Sequence, residues 1–236
     1  MTARPDARSA TLVTLDGPAG VGKSSTARAV ARELGYRYLD SGSLYRAVTL
    51  GLLTAEIPVS DWEDLTEDQL QALGITVRPS ASGVEILLKG DLVPDHELRT
   101  ERVTGLVSSA ARVPAVRGWL WNAQQQAASE GRLVSDGRDM GSVVFPDAAT
   151  RVFLVADPLE RARRRLKDHG NDSPTPAEVE AEATRLSGRD QADQSRPVSP
   201  LVKPEGAHEI DTTHLSFERQ VEMVVELARR AVAGRE

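Results

Sequence analysis

The chain has 236 residues, 40% hydrophobic and 27% charged, which suits one α/β domain with insertions and is ordinary for a soluble globular protein. Its apolar stretches are far shorter than the ~18 residues of a membrane span, and a net charge of −6 argues against a protein that coats nucleic acid through general basicity. With no cysteine there is no disulfide, thiolate metal site or cysteine nucleophile.

Residues 1–10 read as a flexible polar tail with no visible signal peptide, so a cytoplasmic location is expected. Leu12 to Asp16 is a short apolar run of strand length, and Ser24 to Leu34 carries apolar residues at helical spacing before Gly35. Tyr36–Asp40 predicts a second strand and Ser43–Ala55 a second helix. From about 57 to 98 the alternation breaks. Ile75/Val77 and Val84/Ile86/Leu88 show period two on either side of Pro79-Ser80-Ala81-Ser82-Gly83, which predicts an inserted antiparallel hairpin. Two helices should follow, one of them over Val113–Glu130. Leu133–Asp136 and Arg151–Val155 predict further strands, and Pro158 opens a helix to about Lys167. Asp168–Thr184 contains no Lys or Arg and reads as a mobile acidic excursion. His208–Asp211 predicts a last strand, and Ser216 caps a final helix to Gly234. Strands alternating with helices in this way predict an α/β fold with a parallel sheet and helices on both faces.

Gly17-Pro18-Ala19-Gly20-Val21-Gly22-Lys23-Ser24 matches G-x-x-x-x-G-K-[ST] between the first strand and the first helix. Glycines let several backbone N–H groups face one anion, and the helix N-terminus adds its positive end. In such a loop Lys23 bridges the β and γ phosphates and the Ser24 hydroxyl ligates Mg²⁺. Asp16 either orients the loop or hydrogen-bonds the turn. The loop implies ATP or GTP but not the reaction. Asn122 and Asn171 are the only asparagines and neither precedes a lysine, so an Asn-Lys-x-Asp guanine reader is absent.

Two further segments carry charge to the carboxyl edge of the sheet, where open α/β folds bind ligands. Leu39-Asp40-Ser41-Gly42-Ser43-Leu44-Tyr45-Arg46 places an arginine near a helix N-terminus, unfavourable for the dipole unless an anion is expected there. Ser135-Asp136-Gly137-Arg138-Asp139-Met140-Gly141 puts three charges within four residues around a glycine. Simple pairing of those charges with one another is the plain alternative. Of the 29 basic residues, Lys23, Lys89, Lys167 and Lys203 are lysines and the rest arginines. That bias is either compositional habit or a set of planar forks for carboxylates and phosphates. On a helix, Arg185, Arg189, Asp193 and Arg196 share roughly an 80° arc, and Arg161 and Arg165 form an i, i+4 pair. Rows of this kind are more often solvated faces.

Over about residues 11–230 the chain resembles the bacterial type of cytidylate kinase. The resemblance rests on the phosphate loop, Leu39–Arg46, Glu97-Leu98-Arg99-Thr100, Ser135–Ala148, Glu160-Arg161-Ala162 with Arg164-Arg165, and Arg189-Asp190 through Pro200-Leu201. It implies a P-loop kinase fold with a core over 11–56 and 99–236, a small inserted β acceptor-binding region over 57–98 and a short lid over 168–185. It also implies MgATP-dependent phosphorylation of CMP and dCMP by a monomer that binds neither nucleic acid nor membrane. By position, ATP belongs to residues 17–25 (Gly17 to Ser24, with Ser25 a second candidate for the metal hydroxyl) and to Arg161, Arg164 and Arg165. CMP phosphate belongs to Ser41, Arg46, Arg138 and Arg196. The cytosine edge belongs to Ser108, Arg117 and Asp139, and the sugar to Arg189 and Asp193. Lys23, Arg138, Arg164 and Arg196 are the expected catalytic cations, and Asp136 or Asp139 is a candidate for orienting the metal's waters. Another small-molecule P-loop kinase, for a different nucleotide or shikimate, and a regulatory P-loop ATPase remain open alternatives.

Overall fold

The computed structural model describes residues 8–80 and 83–234. Five parallel strands form its centre, in the order β2-β6-β1-β7-β8. These are β1 (Leu12–Asp16), β2 (Arg37–Asp40), β6 (Leu133–Asp136), β7 (Thr150–Val155) and β8 (His208–Asp211). Every residue of β1 and β6 is buried, because helices cover both faces of the sheet. On one face Val13, Leu15, Val134, Val152 and Leu154 pack with α1 (Lys23–Leu34) and α9 (Phe217–Ala233). On the other, Leu12, Leu39 and Leu133 join α2 (Ser41–Thr54), α5 (Glu101–Ala110) and α6 (Pro114–Ala127).

The expected insertion is present and larger than a hairpin. It comprises a 3₁₀ turn at Val59–Asp64, α3 (Glu67–Ala72), the antiparallel strands β3 (Ile75–Ser80), β4 (Gly83–Leu88) and β5 (Asp91–Leu92), and α4 (Asp95–Leu98). The hairpin apex, Ala81 and Ser82, lies outside the described residues. Trp62, Leu70, Leu73, Ile75 and Ile86 share one hydrophobic core with α2 and α6, so the insertion is fused to the α/β frame.

Two expectations are corrected. Residues 1–7 of the expected tail lie outside the described residues, but Ser9–Thr11 forms a 3₁₀ turn and the Arg8 guanidinium donates to Gln125 at 2.9 Å. The expected mobile excursion is mostly helix. α7 (Pro158–Asp168) is followed by a short loop and then α8 (Pro176–Gln194). Thr175 and Glu178 make a reciprocal capping box with Pro176 in the first turn. Val179, Ala183 and Leu186 then seat α8 against Ala162 of α7 and Ala19 of the loop after β1. A lack of basic residues is therefore a property of the exposed face of α8 and not a sign of a free chain.

Candidate active site

One cleft of about 770 Å³ opens at the carboxyl ends of the strands, lined at one end by the glycine-rich loop and at the other by arginines. The loop follows β1 as anticipated. Gly17 is required there, since at φ +145° a Cβ would come 2.2 Å from the Leu154 carbonyl oxygen of β7. Lys23 is buried at the head of α1, and its ammonium donates to the Pro18 carbonyl at 2.6 Å. Burial, and then Arg138, hold that ammonium well below the ordinary lysine range, against Asp136, Asp190 and Asp16. Gly20, Gly22, Ser24 and Ser25 face the cleft, whereas the Val21 side chain belongs to the core.

Asp16 ties together two loops. Its carboxylate accepts from the Met140 and Gly141 amides at 2.8 and 2.7 Å, fastening the end of β1 to the turn after β6. Burial pushes this carboxyl up to about 7 against the pull of those two amides. Asp136, at the end of β6, accepts from the Ser24 hydroxyl at 2.8 Å and the Tyr38 hydroxyl at 2.7 Å. Burial and Asp40 push its carboxyl up to about 6. A hydroxyl and a carboxylate side by side at the mouth of the loop are hard oxygen donors of the kind Mg²⁺ takes. Among the described residues no group of three His, Cys, Asp or Glu could hold a metal, so an ion here would draw its remaining ligands from phosphate and water.

At the far end, α2 contributes Arg46, whose guanidinium donates to Thr104 at 2.7 Å. Burial and Arg99 push it down to about 10. Arg189 of α8 is likewise pushed down to about 10 by burial and Arg138, and its buried Nε has no hydrogen-bond partner. Guanidinium groups desolvated beside one another stabilise a dianion, because each lowers the cost of burying it. The neighbouring arginines are aimed by carboxylates. Arg138 donates to Asp193 at 2.8 Å, and Arg196 donates to the other Asp193 oxygen. Arg117 of α6 pairs with Asp139, donates to the Ala111 carbonyl at 3.0 Å and lies over the Tyr45 ring at 5.3 Å. Burial raises the Asp139 carboxyl, opposed by Arg117. Ser41, Ser108 and Arg165 also line the cleft.

Two expected ATP arginines are placed otherwise. Arg164 turns away from the cleft and donates to the Glu160 carboxylate at 3.0 Å and to the Thr212 carbonyl at 2.7 Å, bracing the turn between β8 and α9. Arg161 is buried beneath the loop and donates to the Ala19 carbonyl at 3.1 Å and to Asp190. Spacing put both on α7 correctly; which face of α7 meets the sheet was not readable from it. Asp193 lies at the cleft as expected, but Arg138 and Arg196 already occupy both its carboxylate oxygens. Three contributors escaped the sequence reading as site residues. They are Tyr38 behind Asp136, Asp190 behind the loop, and Arg99, which lines the cleft and bonds Asp40 at 3.0 Å. The repeated Arg-Asp pairing at 189–190 was the available signal for Asp190.

A phosphate-binding loop facing buried arginines across one cleft defines a P-loop phosphotransferase with an anionic acceptor. A family model described as cytidylate kinase matches residues 13–230, and the chain belongs to that family. It is 40% identical over 212 residues to a cytidylate kinase from Limosilactobacillus fermentum, covering 90% of this chain and 92% of the relative. Cytidylate kinases from Acholeplasma laidlawii and Streptococcus thermophilus are each 38% identical, with 93% of this chain covered and 95% and 96% of theirs.

Proposed function

We propose that the chain transfers the γ-phosphoryl group of MgATP to the phosphate of CMP or dCMP, giving the diphosphate. The observation that carries this reading is the paired architecture of the cleft: a phosphate loop at one end, and at the other desolvated arginines beside the buried Arg117–Asp139 pair. Asp139 offers an acceptor to the cytosine N4 amino group, while Arg117 and Ser108 offer donors to N3 and O2. Uracil presents a carbonyl where cytosine has the amino group, so it would face the carboxylate repulsively. Arg46, Arg138, Ser41 and Arg196, which line the cleft together, are the proposed contacts of the acceptor phosphate, and Arg189 and Asp193 those of the sugar.

Within the loop at 17–25, Gly20, Gly22, Lys23, Ser24 and Ser25, which face the cleft, are with Arg165 the proposed donor contacts. Ser24 and Asp136, hydrogen-bonded at the mouth of the loop, would hold Mg²⁺, which would supply charge neutralisation at the phosphates. No general base is needed, since a nucleotide phosphate with a second pKa of about 6 is mostly dianionic at neutral pH. The protein's task is to align two polyanions and to exclude water. Lys23, whose ammonium donates to the Pro18 carbonyl at the head of the loop, is the proposed lysine contact of the ATP phosphates. The arginines, aimed beforehand by Asp193 and Asp139, lose little freedom when the acceptor arrives.

Among the described residues no helix is long and apolar enough to cross a membrane. We propose a cytoplasmic monomer, in the compartment that supplies both nucleotides. ADP release measured with CMP, dCMP, UMP, AMP, GMP and shikimate tests the reading. CMP and dCMP should give the highest kcat/KM, and ADP release independent of any acceptor would sink it.

A further inference from the structure

The backbone of Ala19 is held at both of its polar atoms by side chains distant in sequence. Its N–H donates to Asp190 Oδ1 at 2.9 Å, and its carbonyl accepts from Arg161 Nη1 at 3.1 Å. Arg161 and Asp190 also pair with each other, which closes a buried ring between the phosphate loop, α7 and α8. Next to it, a Cβ on Gly20 would come 3.0 Å from the Arg161 carbonyl, so the loop lies directly on α7. The Ala19 N–H, already taken by a carboxylate, is not among those free to bind phosphate.

The same stretch of α8 reaches the opposite end of the cleft. Arg189 belongs to the acceptor cluster, and Asp193 takes both Arg138 and Arg196. From Asp190 to Asp193 is three residues of helix, a rise of roughly 4.5 Å. The distance between the donor loop and the acceptor arginines is therefore spanned by a single helical turn, anchored by one carboxylate at each side. A helix turn is stiff, and each anchor is a buried ion pair whose separation would leave a charge uncompensated.

We propose that Asp190, together with Arg161, is a positioning residue that couples the ATP loop to the acceptor arginines through this turn of α8. Neither side chain touches substrate. The pair sets the spacing at which the two phosphates meet. The inference rests on the kinase reading above, because it assigns the two ends of the cleft to donor and acceptor.

The test uses the full-length enzyme and separates spacing from stability. A double variant, Arg161→Met with Asp190→Leu, removes both charges while keeping apolar volume, an exchange that often leaves stability unchanged or raised. Its thermal midpoint should fall only by what the two lost Ala19 hydrogen bonds cost, with the fold intact by circular dichroism, while kcat falls at least tenfold and the KM values for ATP and CMP both rise, since small misplacements of reacting groups are costly. Binding of CMP should also lose its dependence on a non-hydrolysable ATP analogue, so that the ratio of Kd values with and without the analogue moves toward one. Asp190→Asn, which keeps an oxygen for the Ala19 N–H but removes the charge, should shift the same ratio in the same direction and decides the matter if the double variant does not fold. A folded variant with wild-type kcat and an unchanged Kd ratio would overturn the proposal, whatever its thermal midpoint. The wild-type acceptor panel reports separately on the kinase reading; a different best acceptor would replace CMP in these measurements without altering their logic.

Discussion

The two ends of the cleft are built in opposite ways. The proposed donor end is centred on one run of chain, the loop after β1, and its capacity for phosphate would come mostly from backbone N–H groups and one lysine. The acceptor end is assembled from α2, α5, α6, the turn after β6 and α8, and its capacity comes from side chains. Backbone curvature organises the first. The second needs internal carboxylates, Asp139 and Asp193, to hold its guanidinium groups in place before any ligand arrives. In the proposed reading a phosphate binds at both ends, but the same recognition is local at one and tertiary at the other. The donor end should thus tolerate most changes outside its own segment, apart from those at Asp136, Arg161, Arg165 and Asp190, while the acceptor end should respond to changes in many elements.

Replacing Lys23 by Met should give the largest effect, a fall in kcat on the order of 10³-fold with the KM for CMP nearly unchanged. An equal rise in the CMP KM would show that the two ends cannot be treated separately. Arg138→Ala should lower kcat by on the order of 10²-fold with the fold intact by circular dichroism, since one charge-assisted anchor near the transferring group is lost. Near-normal turnover would remove Arg138 from the site. Asp139→Asn should reduce the preference for CMP over UMP at least tenfold in kcat/KM while leaving the KM for ATP alone. An unchanged ratio would take base reading away from this carboxylate.

The smallest expected effect is one of pH, at the seam between the ends. The folded value of Asp136, about 6, lies above its ordinary value of 3.8. The folded state thus binds this proton more tightly than the unfolded chain does. The stability it contributes is fully present below pH 3.8 and is lost as pH rises through about 6. Relative to Asp136→Asn, the ligand-free wild type should therefore gain thermal midpoint as pH falls from 7.5 to 4.5. A constant difference between the two proteins across that range would contradict the raised value.

Legibility follows the same division. The strand–loop–helix unit was readable because its signal lies within about 20 consecutive residues and each type there has a local reason. Leu12–Asp16 is apolar enough to be a buried strand, the glycines permit the loop, and α1 ends at Leu34 where Gly35 was expected to stop it. His208–Asp211 and the Ser216 cap were equally local and were found in place. Asp168–Thr184 was misread because charge composition outweighed Thr175-Pro176-Ala177-Glu178, a capping-box pattern, and the 179/183/186 apolar spacing that follows it. Arg161 and Arg164 show a different limit. Both sit on α7 as expected, yet one is buried under the phosphate loop and the other points to the β8–α9 turn, because α7 packs against the loop by the face that carries Arg161 and Ala162.

The sequence by itself determined the P-loop, the α/β alternation, the inserted hairpin and, through its motifs, the resemblance to cytidylate kinases. These are properties of short windows, where periodicity, glycine and capping residues act over a few bonds. Tertiary structure alone decided which arginines face the cleft, which carboxylates hold them, and that one turn of α8 joins the two ends. Those depend on strand order and helix rotation, which bring Ala19 to Asp190, 171 residues away in the chain, and Ser24 to Asp136, 112 residues away. An overall charge of −6 is compatible with this cleft because burial, not composition, determines which of the arginines are left to meet an anion.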